Sequence, residues 1–344
     1  MICKGILIIV LKRLLLLRSI PHNQKAVRKS NFIMMVNFTL NNIYEMTRLV
    51  TCAASTQGNR FLFFLSALNF LLAISASLGN AAVFFALRKI SSLQPASKLM
   101  YQCLVVTDFC VGVFAQPLFA FQLFSVTSRR LQLCYILVTI NNILGKVLSG
   151  VSLFILTAIS LDRLCALCLR LNYKYVITFR RTLAVIIWIW LLNISLANLR
   201  RFWRLALFNN LMSAFIFSAL TISAMSYLTI FLKLRKHCHE VQGTNQDNQS
   251  NVRRSAFNIN KYKRTVYTGL YVQIALVTCY LPFGITIASA TTRGYNPSSN
   301  VAIRLAITLA LLNSTFNPIL YCWRLRGVRE AVRKIIGHPR QLSH

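Results

Sequence analysis

Five short motifs in this sequence carry side chains capable of chemistry, and each lies within or at the edge of an apolar run. They are Gly79-Asn80, Leu104-Val-Val-Thr-Asp108, Asp162-Arg163-Leu164, Cys279-Tyr280-Leu281-Pro282 and Asn317-Pro318-Ile319-Leu320-Tyr321. An ionised carboxylate is costly in hydrocarbon unless something pairs with it, so Asp108 and Asp162 each need a reason. Pro318 and Pro282 each remove a backbone donor and weaken a helix. Neighbouring Asn and Tyr side chains can satisfy the carbonyl that such a proline frees. Hard oxygen ligands around Asp108 would suit Na⁺ or a proton relay, or the carboxylate is simply hydrogen-bonded to Asn80 and Asn317. No nucleophile with a base, no CxxC pair and no His cluster points to an enzyme or a transition-metal site.

The elements that hold these residues follow from composition. Lys and Arg number 39 against 6 acids, for a net charge of +33, yet charged residues are only 13% of the 344 and hydrophobic ones 56%. A nucleic-acid binder of this charge would be rich in charged residues, and this chain is poor in them. The excess comes from missing acid: only Glu45, Asp108, Asp162, Glu240, Asp247 and Glu330 are present. With mean hydropathy +0.56, the pattern is that of a polytopic membrane protein with basic loops and no nucleic-acid partner.

Seven runs are long enough to cross a bilayer as helices: Phe61–Leu87, Leu99–Phe124, Cys134–Leu164, Leu183–Leu199, Leu205–Leu232, Val266–Ala290 and Val301–Trp323. None alternates as a barrel strand would, so the fold class is all-α, a seven-helix bundle. Arg88, Lys89 and Lys98, then Arg170, Lys174, Arg180 and Arg181, then Lys233 through Arg264, gather on one side with the tail cations. That side is read as cytoplasmic, with the N-terminus outside. Residues 1–59 are an outer N-terminal segment, 60–323 the seven-helix domain, and 324–344 a short amphipathic eighth helix on the inner membrane surface with the tail. Gly243–Asn251 is polar and reads as a mobile loop. Residues 1–33 carry seven cations and no acid, against the charge rule, and Lys12 and Arg13 break any signal-peptide core. The alternatives are an interfacial helix or, the reading preferred, initiation at Met34 or Met35.

All five motifs, in this order and on these helices, resemble the rhodopsin-like (class A) G-protein-coupled receptors over roughly residues 60–337. The resemblance implies a plasma-membrane receptor whose helix 6 pivots to admit a heterotrimeric G protein. It implies that Asp162 and Arg163 close helix 3 and that Arg163 meets the G protein. Tyr227 and Tyr321 would swing inward to hold the active state, with Asn317 and Pro318 completing the helix-7 motif. Cys279, Tyr280 and Pro282 would form the helix-6 hinge. It further implies an allosteric sodium ion as the only cofactor-like group, held by Asp108 and Ser152 with Asn80, Asn313, Ser314 and Asn317 around it.

Departures from the family pattern narrow the ligand. Gly145 stands where receptors for amines place an aspartate, so an amine held by an ion pair is not expected. Val138 stands where most members have the cysteine bridged to the second outer loop. Cys134 is a turn earlier, and Arg200-Arg-Phe-Trp-Arg204 offers it no partner, so the bridge is expected to be absent. Ala219 replaces the usual helix-5 proline, and Tyr280 the usual helix-6 tryptophan. Those absences are loosely similar to melanocortin- and cannabinoid-type receptors. Lys146 is taken as the only Lys or Arg well inside a helix of the outer half, either snorkelling or facing an anionic ligand. Gly145, Lys146 and Tyr280 are the candidate pocket, and lipid, peptide or small anionic ligands its occupants, with membrane lipids as further partners. Lys261-Tyr262-Lys263-Arg264 lacks the acid that usually latches Arg163, which predicts ligand-independent signalling. Asn37-Phe38-Thr39 is a glycosylation sequon, and the tail lacks the usual palmitoylation cysteine. The competing readings are a helical transporter or channel and a seven-helix protein that no longer signals.

Overall fold

The computed structural model describes residues 51–52, 59–90, 93–169, 172–199, 205–244, 249–293, 297–324 and 326–335, with side chains from 237 to 268 left out of that description. The start at Met34 or Met35, the Asn37 sequon and the side chains of Lys261–Arg264 lie outside it. Among the described residues, seven helices are long and apolar enough to cross a membrane. They are α1 (Asn59–Lys89), α2 (Pro95–Thr127), α3 (Leu131–Leu169), α4 (Phe179–Leu199), α5 (Leu205–Thr244), α6 (Gln249–Arg293) and α7 (Pro297–Arg324), followed by α8 (Arg326–Ile335). The protein is a multi-pass membrane protein built as an all-α bundle.

Every run expected to be helical is helical, but the helices outrun their apolar stretches. The polar ends of α5 and α6 continue as helix to Thr244 and from Gln249, so both flanks of the expected Gly243–Asn251 loop are helical backbone, while 245–248 lie outside the described residues. Loss of apolarity marks where a helix leaves hydrocarbon; it does not stop the hydrogen-bond ladder, which needs a glycine, a proline or a cap. Large apolar side chains face outward along the spans, as Trp188 does at 72% exposure. That is the pattern of a lipid-facing surface.

Around the bundle, α1 packs on α2 and α7, α3 touches α2, α4 and α5, and α6 lies between α5 and α7. One-turn helix Tyr173–Val176 follows α3, and α8 folds back along α1. Val328 of α8 is fully buried, and Gly327 approaches Ile90 closely enough that a Cβ would touch it at 3.5 Å. Lys98 Nζ donates to Ile90 O at 2.7 Å, placing a cation where α1 ends in negative carbonyls.

Two features of α2 were not legible beforehand. Val111–Ala115 forms a π turn in which Gln116 N–H reaches Val111 O, five residues back, just before Pro117. Gly112 sits at this turn against α1, where a Cβ would fall 2.7 Å from Ser77 Oγ. At the α2–α3 corner Arg130 N–H bonds Ser125 O and Arg129 N–H bonds Val126 O. This is a Schellman cap with Arg129, at φ 54°, in the position that favours glycine.

Candidate functional site

Asp108 is completely buried at the middle of the bundle. Its Oδ1 accepts from Ser152 Oγ of α3 at 2.9 Å and from Ser314 Oγ of α7 at 2.7 Å. Its Oδ2 accepts from Asn317 Nδ2 at 2.6 Å. Four of the six residues expected here therefore meet on one carboxylate. Asn80 does not bond Asp108; its Nδ2 donates to Ala76 O at 2.8 Å and Ser314 O at 2.9 Å. Ser314 lies four residues before Pro318, so its carbonyl is the one that the proline leaves without an N–H. Asn80 repairs that loss, and Gly79 beside it keeps α1 close, since a Cβ there would lie 3.1 Å from the Pro318 ring. The buried Asn313 has an amide nitrogen with no partner among the described residues.

One carboxylate and two rotatable hydroxyls on its Oδ1 make a hard-oxygen set, because each hydroxyl can turn from donating to offering a lone pair. These residues fit a small hard cation. Among the described residues no three His, Cys, Asp or Glu side chains cluster.

At one end of the bundle, Asp162 is held by neighbours that were not singled out from the sequence. Tyr173 Oη donates to its Oδ1 at 2.6 Å, and Ser97 Oγ donates to its Oδ2 at 3.0 Å. The Tyr173 hydroxyl is pushed up to about 12, first by burial and then by that bond to a carboxylate. Arg163 lies with its Nε 3.8 Å from Asp162 Oδ2 and 29% of its side chain exposed. A pair that open is worth about 0–1 kcal/mol. The stronger contact is with α2: Arg163 Nη2 donates to Tyr101 Oη at 3.2 Å, and its guanidinium stands 5.5 Å from the Tyr101 ring centre. The same ring meets Tyr321 of α7 edge-on at 5.4 Å. Tyr101 thus joins two of the expected switch residues, although its place in an apolar run hid it. Tyr227 rests its ring on Gly269 of α6, where a Cβ would come within 2.6 Å of Cε1.

Between these two levels a buried polar chain ties α3, α5 and α6. Ser160 and Ser223 hydroxyls are 3.0 Å apart, and Ser223 Oγ donates to Gln273 Oε1 at 2.6 Å. Higher in α6, Cys279 and Tyr280 are buried just before Pro282, and Tyr280 Oη donates to Ser149 O at 3.0 Å.

The opposite end carries two corrections. Cys134 is bridged, to Cys52, 82 residues earlier. The sequence offered Cys134 no partner in the second outer loop; its partner lies instead ahead of α1, and spacing alone cannot pair cysteines across a fold. Lys146 is also not the only cation inside this half: Arg304 lies on α7 at 4% exposure and donates from Nη2 to Thr51 O at 2.7 Å. Of the pocket candidates, Lys146 reaches toward α5, its Nζ 5.2 Å from the Phe208 ring centre. Gly145 faces its own turn, where a Cβ would lie 3.2 Å from Asn141 Oδ1.

Comparison with known proteins agrees with this arrangement. The family profile described as "7 transmembrane receptor (rhodopsin family)" matches residues 79–204 and 201–321. Trace amine-associated receptor 5 of Mus musculus is 24% identical over 288 residues, 76% of this chain and 81% of that protein. Histamine H2 receptor of Rattus norvegicus is 24% identical over 289 residues, 77% of each. Adenosine receptor A2b of Gallus gallus is 25% identical over 319 residues, 78% of this chain and 87% of that one.

Proposed function

The chain belongs to the rhodopsin family of seven-transmembrane receptors, and on that premise we propose that its present arrangement is the resting state of a G-protein-coupled receptor. The observation that carries this is Tyr101, which holds Arg163 by a hydrogen bond and Tyr321 by an edge-on ring contact. Activation then separates these partners: Arg163 turns to the G protein, and Tyr321 and Tyr227 move into the space that α6 vacates. The signal passes as a shift between two packings, with no chemistry performed on the ligand. In cells, R163A at matched surface expression should abolish both basal and stimulated G-protein dissociation. Unchanged output would overturn the reading.

The basic side, with Lys98, Arg180, Arg181 and Lys233, is cytoplasmic in this reading, and the Cys52 end faces outward from the plasma membrane. A disulfide at that end agrees with an oxidising exterior. Asp108, Ser152 and Ser314 would hold Na⁺ in the resting state, the ion supplying a positive charge that keeps α2, α3 and α7 together. Raising NaCl against choline chloride should lower basal output in the wild type and leave D108N unchanged. An identical salt response in both would remove the ion from the scheme.

Two relatives are named for amines, but Gly145 gives an ammonium group no carboxylate at the expected place. Arg129, Arg130, Arg200, Arg201, Arg204 and Arg293, which the sequence assigns to the outer loops, favour an anionic ligand by their field. A ligand screen with a promiscuous G-protein reporter tests this: histamine acting more potently than lipid, peptide or carboxylate compounds would reverse it.

A further inference from the structure

Arg304 has an arrangement that a purely structural arginine does not need. Its guanidinium is buried on α7 and its hydrogen bond goes to a neutral carbonyl, Thr51 O. Among the described residues no carboxylate pairs with it: Asp108 is engaged by three donors, and Asp162 and Glu330 belong to the opposite end of the bundle. A buried cation facing only a dipole lacks the counter-charge that ordinarily offsets its desolvation. The fork of guanidinium N–H groups matches the paired oxygens of a carboxylate or phosphate, and one carbonyl oxygen uses a single arm of it.

The surroundings hold this group in place. Thr308 Oγ1 donates to Arg304 O at 3.1 Å and accepts from Asn69 Nδ2 of α1 at 3.0 Å, which fixes the turn of α7 that carries the arginine. Thr51 adjoins Cys52, and the disulfide to Cys134 of α3 anchors the carbonyl that covers the guanidinium. Thr51 and Cys52, before α1, are therefore tied to α3 by a covalent bond and to α7 by the hydrogen bond from Arg304. Only the second can be exchanged.

We propose that Arg304 is an anion-binding centre: a ligand carboxylate or phosphate displaces the Thr51 carbonyl, and the Cys52–Cys134 staple sets how readily it does so. The proposal rests on the reading that the ligand is anionic, and it assigns the counter-charge to Arg304 where the sequence pointed to Lys146. Lys146 lies against Phe208 and is not required for the contact.

The test uses the purified full chain in phosphatidylcholine nanodiscs, with decanoate and inorganic phosphate as soluble probes and phosphatidate-containing discs as a lipid source. The readout is the probe-induced rise in Tm and the affinity from its concentration dependence, each variant measured against its own probe-free state. In the wild type one probe should raise Tm. R304Q should lower its affinity about thirtyfold or more, the loss expected when one partner of a buried charge pair is removed. R304K should keep part of the response, and K146Q all of it. C52S should bind the probe several-fold more tightly, because its Thr51 carbonyl is no longer held against Arg304. A response to decanoate or phosphate in phosphatidylcholine identifies a soluble ligand, and a response confined to phosphatidate a lipid headgroup. Loss of binding in K146Q with R304Q unaffected would overturn the assignment to Arg304 while leaving the anionic reading standing. No response to any probe would overturn both. Should R304Q fail to fold, unchanged probe affinity in C52S would still refute the competition.

Discussion

Replacing Tyr101 by Phe removes one oxygen and leaves the ring that Tyr321 and Arg163 both touch. The deleted interaction is the 3.2 Å bond from Arg163 Nη2 to Tyr101 Oη. Hydrogen bonds to charged groups contribute about 1.5–3 kcal/mol, but 29% of the arginine side chain is open to solvent, which screens the interaction. A working figure is about 1 kcal/mol. If the bond exists only in the resting state, its loss multiplies the active-to-resting ratio about fivefold. A receptor active for about 2% of the time would become active for about 10%. Y101F should therefore raise basal G-protein dissociation, read by resonance energy transfer at matched surface expression, while agonist efficacy stays near wild type. Y101A also loses the edge-on contact with Tyr321, worth about 0.5–1.5 kcal/mol, and should be more active still. Basal output in Y101F equal to or below wild type, with Y101A raised, would refute the argument. The ring alone would then be the restraint.

Three further outcomes follow from the geometry. G269A places a methyl 2.6 Å from Tyr227 Cε1, so the ring must leave its seat on α6 and basal output should rise; wild-type output at wild-type expression would count against that seat. The Tyr173 hydroxyl, raised from 10 to about 12, contributes stability that is fully present below pH 10 and lost as pH climbs through about 12. The Tm difference between wild type and Y173F should thus stay constant from about pH 6 to about pH 9, whereas a difference that collapses in that interval would show another group to be titrating. R129G relieves a side chain held at φ 54°, a strain of about 1 kcal/mol, and should raise Tm by about 1–3 °C; no rise would mean that the arginine is stabilised by its surroundings.

What the sequence disclosed and what it concealed follow one physical division. Polar groups in hydrocarbon are costly, so Asp108, Ser152, Ser314 and Asn317 stand out against their surroundings, and the structure joins all four. The pairing of Asn80 with the carbonyl freed by Pro318 was foreseeable in kind for the same reason. Tyr101 was hidden because a tyrosine among leucines and valines looks like ordinary packing, and only its two neighbours in space give it a role. Cys52–Cys134 was hidden because disulfide partners are set by topology, and the family pattern points to the loop after α4 rather than to the residues before α1. Arg304 was hidden about two turns inside α7, where an arginine near a helix end looks like a snorkelling side chain. The persistence of α5 and α6 beyond their apolar stretches was missed because hydropathy reports the solvent around a helix rather than its length.

The π turn of α2 has a consequence for reading that helix from either end. A turn closed by an i→i+5 bond is wider than a regular one, so two neighbouring side chains can share one face there. Val113 and Phe114, adjacent in sequence, are both exposed, at 38% and 51%. A single helical wheel drawn through Pro95–Thr127 still keeps one buried face, since Leu104 and Gln122, about five regular turns apart, are both buried. Tryptophan scanning along α2 should show one tolerant stripe with a 3.6-residue rhythm, widened to two adjacent positions within Val111–Ala115. Gln116 and Gln122 are both buried, bringing amide groups to the inward face of the outer half of α2.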